Sequence, residues 1–403
     1  MTPASPSPQE QLAILTDGID AVTPGGGLLD KLKLGRPLRV KLGVDPTAPD
    51  VTLGWAVVLR LLRRFQDLGH TAVLILGDFT ALVGDPTGRS ETRKRLTPSE
   101  VAAHSVSCVD MIKDVLSEER LEIRPNSEWL AAMDMHKLLE LTSTTTVARL
   151  LERDDFSKRF AEKRPISLIE FMYPLLQAMD SVAVNADVEL GGTDQLWNLL
   201  MGRQVQGRYD QEPQVAVTVP LLVGTDGTRK MSQSYGNYIS IRDPADDMFG
   251  KVMSLPDAAM EQWFLLAAGY TQAEAARIAF DVADGSRHPG ETKRLLGREI
   301  VTMYHGSVAA EESEAAFDRL FKQHAVPDDV DEISMPESMG DEVFLPALLA
   351  TAGLVTSNTE GRRMIKQGAV KIDGDRIDVD RLPTVDVTGK VIQVGKRRFV
   401  RIR

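Results

Sequence analysis

Tyr173, Gln177 and Asp180 stand at offsets of four and three, which puts their side chains on one face of a helix. A phenol, an amide and a carboxylate on a face as apolar as FMYPLLQAMD are costly to bury without partners. Together they can hold a small zwitterion. The amide and phenol suit an α-ammonium, and the carboxylate can accept from a substrate hydroxyl. A core face with polar edges, shared with Leu176, is the other reading.

Three further stretches carry chemistry. In 43–55 (GVDPTAPDVTLGW) a strand end, a tight turn and a helix start follow one another. A helix N-terminus offers free N–H groups and the positive end of its dipole to phosphate. Gly54 lets a flat ring approach the backbone, and Thr47 places a hydroxyl at the same opening. The plain alternative makes Thr52 a helix cap and Gly54 a packing residue. In 190–195 (LGGTDQ) a glycine pair precedes Asp194, an arrangement that suits ribose hydroxyls; a glycine turn capped by Thr193 is the alternative, with Gln195 reaching a nearby carbonyl. In 230–234 (KMSQS) a loop lysine can follow phosphate as negative charge builds in a transition state. Lone loop lysines are commonly just solvated, but the ordered string is far less common.

These residues need a scaffold. Apolar runs at 38–44, 71–76, 121–124, 182–190 and 214–223 read as strands. Helical spacing fills 53–68, 99–116 and 194–207, so βαβ units and a parallel sheet are expected, with ligands at the strands' carboxyl ends. Residues 244–324 read as helical. Residues 344–402 read as a small α+β unit with helices near 344–352 and 359–367. The expected division is a Rossmann-like catalytic domain with an inserted interface region (1–240), a helical domain (241–326), an acidic linker (327–342) and a C-terminal module (343–403).

Composition limits the class. The chain has 403 residues, 43% hydrophobic and 26% charged, which excludes a disordered, collagen-like or coiled-coil protein. No apolar run reaches the roughly 18 residues of a membrane span. The polar, Pro-rich start has no signal-peptide core, and the single cysteine, Cys108, excludes a disulfide framework. The cytoplasm is the expected compartment, without a membrane partner. Residues 343–403 hold 12 Lys and Arg against 6 Asp and Glu, or +6, leaving 35 against 52, or −17, in the rest. An acidic body with a basic tail points to a polyanion held by the tail.

The four stretches resemble one family in order and spacing. VKLGVDPTAPD, GDFTALVGDPTGR, NSEWL, the Tyr173 helix, ELGGTDQLWNLL and KMSQS resemble bacterial tyrosyl-tRNA synthetases, class I aminoacyl-tRNA synthetases, over nearly the whole chain. TSNTEGRRMIKQGAVKIDG resembles the S4-type RNA-binding module that ends them. The resemblance implies that Asp180 reads a substrate phenol. Tyr173, Gln177 and Asp85 hold its α-ammonium, with Thr80, Asn126 and Gln195 nearby. Lys41 stands where the family often has a tyrosine touching the hydroxyl. Gly43, Asp45, Thr52, Gly54, Trp55, Gly192 and Asp194 would cradle ATP with Lys230, Met231, Ser232 and Gln233; Mg²⁺ would arrive on the nucleotide, and no metal held by the protein is expected. Thr47, Thr52, Lys230 and Gln233 are the catalytic candidates. Arg89, Arg93, Lys94 and Arg95 would close over pyrophosphate. Arg362, Arg363, Lys366, Lys371, Lys396, Arg397 and Arg398 would contact RNA. A homodimer is implied, with tRNA(Tyr), L-tyrosine and ATP as partners.

Two signatures depart from the family. His-x-Gly-His is Thr52-Leu-Gly-Trp55, and the second signature lysine is Gln233. The lost groups are donors rather than proton shuttles, because the reaction works by positioning and charge stabilisation. A working tyrosine–tRNA ligase is therefore expected. The alternatives are an RNA-binding or regulatory paralogue that no longer activates amino acid, and activation of another aromatic amino acid. Asp180 argues against phenylalanine, a discrimination for which this enzyme family is itself the standard example.

Overall fold

The computed structural model describes residues 6–87, 96–321, 330–335, 342–395 and 398–403. The basic cluster Arg89, Arg93, Lys94 and Arg95, the tail residues Lys396 and Arg397, and linker residues 327–329 and 336–341 lie outside the described residues. The chain divides into two compact units, residues 1–244 with 251–304, and residues 245–250 with 305–403.

The first unit is built on six strands: β1 (Ala21–Thr23), β2 (Arg39–Val44), β3 (Thr71–Leu76), β4 (Leu121–Pro125), β5 (Val188–Gly192) and β6 (Val215–Val219). Their order is β1-β6-β5-β2-β3-β4. All neighbours are parallel except β1, which pairs antiparallel with β6 at Val22 and Val217. The chain leaves β2 toward β3 and β4, then returns to β5 on the other side. That reversal opens a crevice beyond the carboxyl ends of β2 and β5.

The helices around this sheet are α1 (Pro8–Thr16), α2 (Gly27–Leu32), α3 (Leu53–Asp67), α4 (Thr80–Val83), α5 (Pro98–Ile112), α6 (Ser127–Leu130), α7 (Met135–Thr142), α8 (Val147–Leu150), α9 (Asp154–Ala161), α10 (Leu168–Ala183) and α11 (Leu196–Arg208), with α2, α3 and α11 packed directly on the strands. The inner strands are buried along nearly their whole length, as a sheet covered on both faces requires. Along α3, Leu53, Val57, Leu61 and Phe65 recur every four residues and are buried, each stabilising the fold by roughly 1.5–3 kcal/mol. α10 starts on a Ser167–Glu170 capping box and tolerates Pro174 inside, which removes one backbone donor.

The expected strands at 71–76 and 121–124 are found almost to the residue. The strand expected from 182 starts at Val188, because Val182 and Ala183 end α10 and Asn185 turns the chain with φ 48°. β1 and α1 have no counterpart among the expected elements.

Five further helices follow: α12 (Ala245–Met253), α13 (Met260–Leu266), α14 (Gln272–Ala283), α15 (Pro289–His305) and α16 (Ser307–Phe321). The expected helical stretch is thus present. The second unit contains β7 (Glu332–Ile333), β8 (Glu342–Phe344), α17 (Leu345–Thr351), α18 (Asn358–Lys366), β9 (Val370–Ile372), β10 (Asp375–Arg376), β11 (Arg381–Pro383), β12 (Val391–Val394) and β13 (Arg398–Ile402). Its core joins Leu348 and Leu349 of α17, Ile365 of α18, and Val370, Ile392 and Val400 of the strands. Among the described residues, no helix is long and apolar enough to cross a membrane.

Candidate active site

Side chains alternate along β2, so Lys41, Gly43 and Asp45 share one face. α10 meets that face with Tyr173, Gln177 and Ser181. Between the two, a Cβ on Gly43 would touch nothing within 4 Å, which leaves open space at the centre of the face.

At the upper end, the Asp45 carboxylate accepts from Thr80 Oγ1 at 2.7 Å and from the Tyr173 hydroxyl at 2.9 Å. Gly77, just past β3, makes this possible: an added Cβ would lie 1.9 Å from Asp45 Oδ1 and 2.5 Å from Thr80 Oγ1. Asn126 continues the chain, donating from Nδ2 to Thr80 Oγ1 at 3.0 Å and to Asp180 Oδ2 at 3.3 Å. Its Oδ1 accepts from the Phe79 N–H at 3.0 Å, which fixes the amide's orientation. Trp129 Nε1 donates to Asp180 Oδ1 at 2.9 Å.

Asp180 is 3% exposed. Burial pushes its carboxyl up to about 7, against the pull of Lys41 and of the Trp129 and Asn126 hydrogen bonds; Glu189 adds to the push. Burial, reinforced by Asp45 and Asp85, holds the Tyr173 phenol well above its usual range, so it remains a neutral donor.

Below lies a buried ion pair. Lys41 Nζ is 2.8 Å from Glu189 Oε1, with side chains 0% and 1% exposed. Lys41 also donates to the Gln177 carbonyl at 2.9 Å and to Ser181 Oγ at 2.8 Å. Glu189 accepts from Gln177 Nε2 and Ser181 Oγ, each at 3.2 Å, and from Gln214. Gln177 Oε1 is left buried with no hydrogen-bond partner.

The nucleotide-side candidates gather at the ends of β5 and α3. Gly192 is needed for its turn, since a Cβ there would lie 2.7 Å from Leu221 and 2.8 Å from Asp194 Oδ1. Lys230 Nζ is paired with Asp194 Oδ2 at 2.7 Å. Its loop is docked on the start of α3: Met231 Sδ accepts from Gly54 N–H at 3.2 Å, and Gln233 Nε2 donates to the Asp50 carbonyl at 2.7 Å. Asn237 Oδ1 holds the Ser232 N–H at 2.9 Å. Thr52 is buried and caps α3, accepting from Trp55 N–H at 3.4 Å. Trp55 is 37% exposed. Thr47 is half-buried beside Asp45, whose carbonyl accepts its N–H at 2.7 Å. Gln195 Nε2 reaches Asp85 Oδ2 at 3.0 Å.

The structure therefore joins Asp45, Thr80, Asn126, Tyr173 and Asp180 in one hydrogen-bonded chain. It joins Lys41 to Gln177, Asp85 to Gln195, and Lys230 to Asp194. The RNA candidates belong to the second unit: Arg362, Arg363 and Lys366 are exposed on α18, Lys371 is half-buried on β9, and half-buried Arg398 donates to the Leu354 carbonyl. Sequence reading does not single out Glu189, Ser181, Gln214 or Gly77, and finds Trp129 only as a letter of NSEWL. The available signal for Glu189 was one acid in an apolar strand set against one lysine in another.

A doubly wound sheet with polar groups lining its switch point defines a nucleotide-binding α/β class. The family described as tRNA synthetases class I (W and Y) matches residues 33–322, and the chain belongs to it. The relatives are more particular. The chain is 51% identical to the tyrosine–tRNA ligase of Moorella thermoacetica, over 97% of this chain and 95% of that one. It is 46% identical to that of Geobacter sulfurreducens, over 98% of each. The fold is also that of the tyrosyl-tRNA synthetase from Archaeoglobus fulgidus complexed with L-tyrosine (TM-score 0.63, 22% identity, 76% of this chain and 99% of that chain).

Proposed function

We propose that this chain is a tyrosine–tRNA ligase: it activates L-tyrosine with ATP and transfers it to tRNA(Tyr). The observation that carries the reading is a pair of buried polar groups on α10, the helix that meets the open face at Gly43. Gln177 Oε1 has no partner, and the buried Asp180 carboxylate accepts from the neutral donors Asn126 and Trp129. Burying them is unfavourable unless a ligand donates to them. A tyrosine supplies both donors, an α-ammonium for Gln177 with Tyr173 and Asp85, and a phenol hydroxyl for Asp180. Thr80, Asn126 and Gln195 order those groups.

The tyrosine carboxylate attacks the α-phosphorus of ATP. The bond to the bridging oxygen breaks, and pyrophosphate leaves with its electron pair. No protein nucleophile is needed. Gly43, Gly54, Gly192 and Asp194 seat the nucleoside. Lys230 and its loop stabilise the charge on the leaving group, and Mg²⁺ travels with the triphosphate. The 2′- or 3′-hydroxyl of the terminal tRNA ribose then displaces AMP from the adenylate.

Residues 1–240 serve as the catalytic domain, 241–326 as a helical tRNA-recognition domain, 327–342 as a linker and 343–403 as an S4-like module. A second copy of the chain is assigned to the inserted region, where Met135, Leu139, Val147, Phe160 and Leu168 are exposed; light scattering should return a dimer mass. The cytoplasm is the compartment assigned to it. Tyrosine-dependent exchange of pyrophosphate into ATP tests the activity. Exchange is expected, with phenylalanine rejected by orders of magnitude; a folded protein giving none at saturating substrates would return the chain to the RNA-binding alternative.

A further inference from the structure

An ammonium has three N–H donors. In Lys41 all three are used within the protein, by the Gln177 carbonyl at 2.9 Å, Ser181 Oγ at 2.8 Å and Glu189 Oε1 at 2.8 Å. None remains for a ligand. Where the family resemblance puts a side chain that touches the substrate hydroxyl, this chain has a charge that is fully engaged elsewhere. Gln177 and Ser181 lie three residues before and one after Asp180 on α10, so the ammonium is anchored on the turn that carries the phenol-reading carboxylate.

We propose that the Lys41–Glu189 pair is a specificity device of this pocket: Glu189 fixes the ammonium beneath Asp180, and its charge keeps that carboxylate in its accepting form without touching substrate. This rests on reading the pocket as a tyrosine site. Glu189 is a positioning residue, acting through Lys41, and is itself held by Gln177, Ser181 and Gln214. The charged and titratable groups around Asp180 are Lys41 from β2, Glu189 from β5, and Tyr173 with its partner Asp45; Asn126 and Trp129 contribute neutral donors. Of the two members of the pair, Lys41 acts on Asp180 more strongly than Glu189. The net effect of the pair therefore favours the carboxylate.

The test is calorimetric titration of L-tyrosine between pH 5.5 and 9, comparing the wild type with the double variant K41M/E189Q. The double change removes both charges while keeping the volumes close, so neither member of the pair is left buried without the other. The acid limb of tyrosine affinity is expected to move up by about one pH unit, which is roughly tenfold weaker binding on that limb. ATP affinity should be unchanged. An unmoved acid limb overturns the proposal. Should the double variant not fold, the wild type decides with para-substituted phenylalanines. The para-amino analogue, a donor, should support pyrophosphate exchange, and the para-fluoro analogue, which has no donor, should not. The reverse order would show that Lys41 donates to substrate, and the proposal falls. Failure of the underlying reading looks different: the wild type then shows no exchange with tyrosine itself.

Discussion

Asp180 shows what a selective carboxylate costs. Its pKa in the folded chain is pushed up to about 7 from an ordinary value near 4. The folded state therefore binds the extra proton between pH 4 and 7, and the group's contribution to stability falls as pH rises through that window. Asp180→Asn should gain on the wild type by on the order of 2–4 kcal/mol between pH 4.5 and 8, read from denaturant midpoints. The same variant should lose tyrosine-dependent exchange by one to two decades, since a charge-assisted bond to the hydroxyl is worth roughly 1.5–3 kcal/mol. A variant no more stable at pH 8 would mean that Asp180 is not strained by burial. The helix offsets made Tyr173, Gln177 and Asp180 legible in the sequence, because a local period fixes a shared face. Glu189 was not legible: its meaning comes from a lysine 148 positions earlier, brought beside it only when β2 and β5 pair. Asp45 lies between these cases. The sequence groups it with the nucleotide contacts, and the structure bonds its carboxylate to Thr80 and Tyr173.

Elements fix how far those groups can shift. The turn after β3 brings Gly77 so close to the Asp45 carboxylate that no side chain fits beside it. Gly77→Ala should displace Asp45 and with it Tyr173 and Thr80. We expect a folded protein whose KM for tyrosine rises at least about tenfold with KM for ATP nearly unchanged; equal effects on both would place the damage elsewhere. The loop 230–234 poses a different constraint. Its Lys230 is paired with Asp194 while both are partly solvated, at 43% and 25% exposure. Such a pair contributes at most about 1 kcal/mol, so a triphosphate can take the lysine with little opposition. Lys230→Ala should lower kcat for exchange by one to two decades and leave KM for tyrosine almost unchanged, as measured by steady-state exchange. At this scale the long apolar strands were readable and the junction at 182–188 was not. An apolar run fits the end of a buried helix as well as a strand. The three residues of β1 carry too little pattern to be seen at all.

The whole chain separates its charges, with −17 in the body and +6 in the last 61 residues. An acidic body discourages loose binding of nucleic acid, so the basic tail has to supply the attraction. α18 offers the clearest surface for it. Arg362 and Arg363 are exposed on that helix, Arg362 paired with Asp380 at 3.2 Å and Arg363 more loosely with Glu360 at 3.9 Å, solvated pairs that a phosphate can displace at little cost. Phe344 has the guanidinium groups of Arg362 and Arg381 over its ring at 5.2 and 5.5 Å. Arg381 is itself paired with Glu342 at 2.9 Å, and the stacking on Phe344 helps to hold Arg362 in place. The triple variant R362A/R363A/K366A should therefore weaken tRNA binding roughly evenly across tRNA sequences. It should also flatten the slope of log affinity against log salt by about two to three, each phosphate no longer neutralised accounting for roughly 0.7–0.9. Pyrophosphate exchange should continue at the wild-type rate, because none of the three side chains belongs to the unit that holds the tyrosine pocket. The comparison to make is aminoacylation against exchange on one preparation, at several salt concentrations. If aminoacylation keeps its salt slope, the cations of α18 do not carry the tRNA; if exchange falls in step with aminoacylation, the lesion has reached the chemistry.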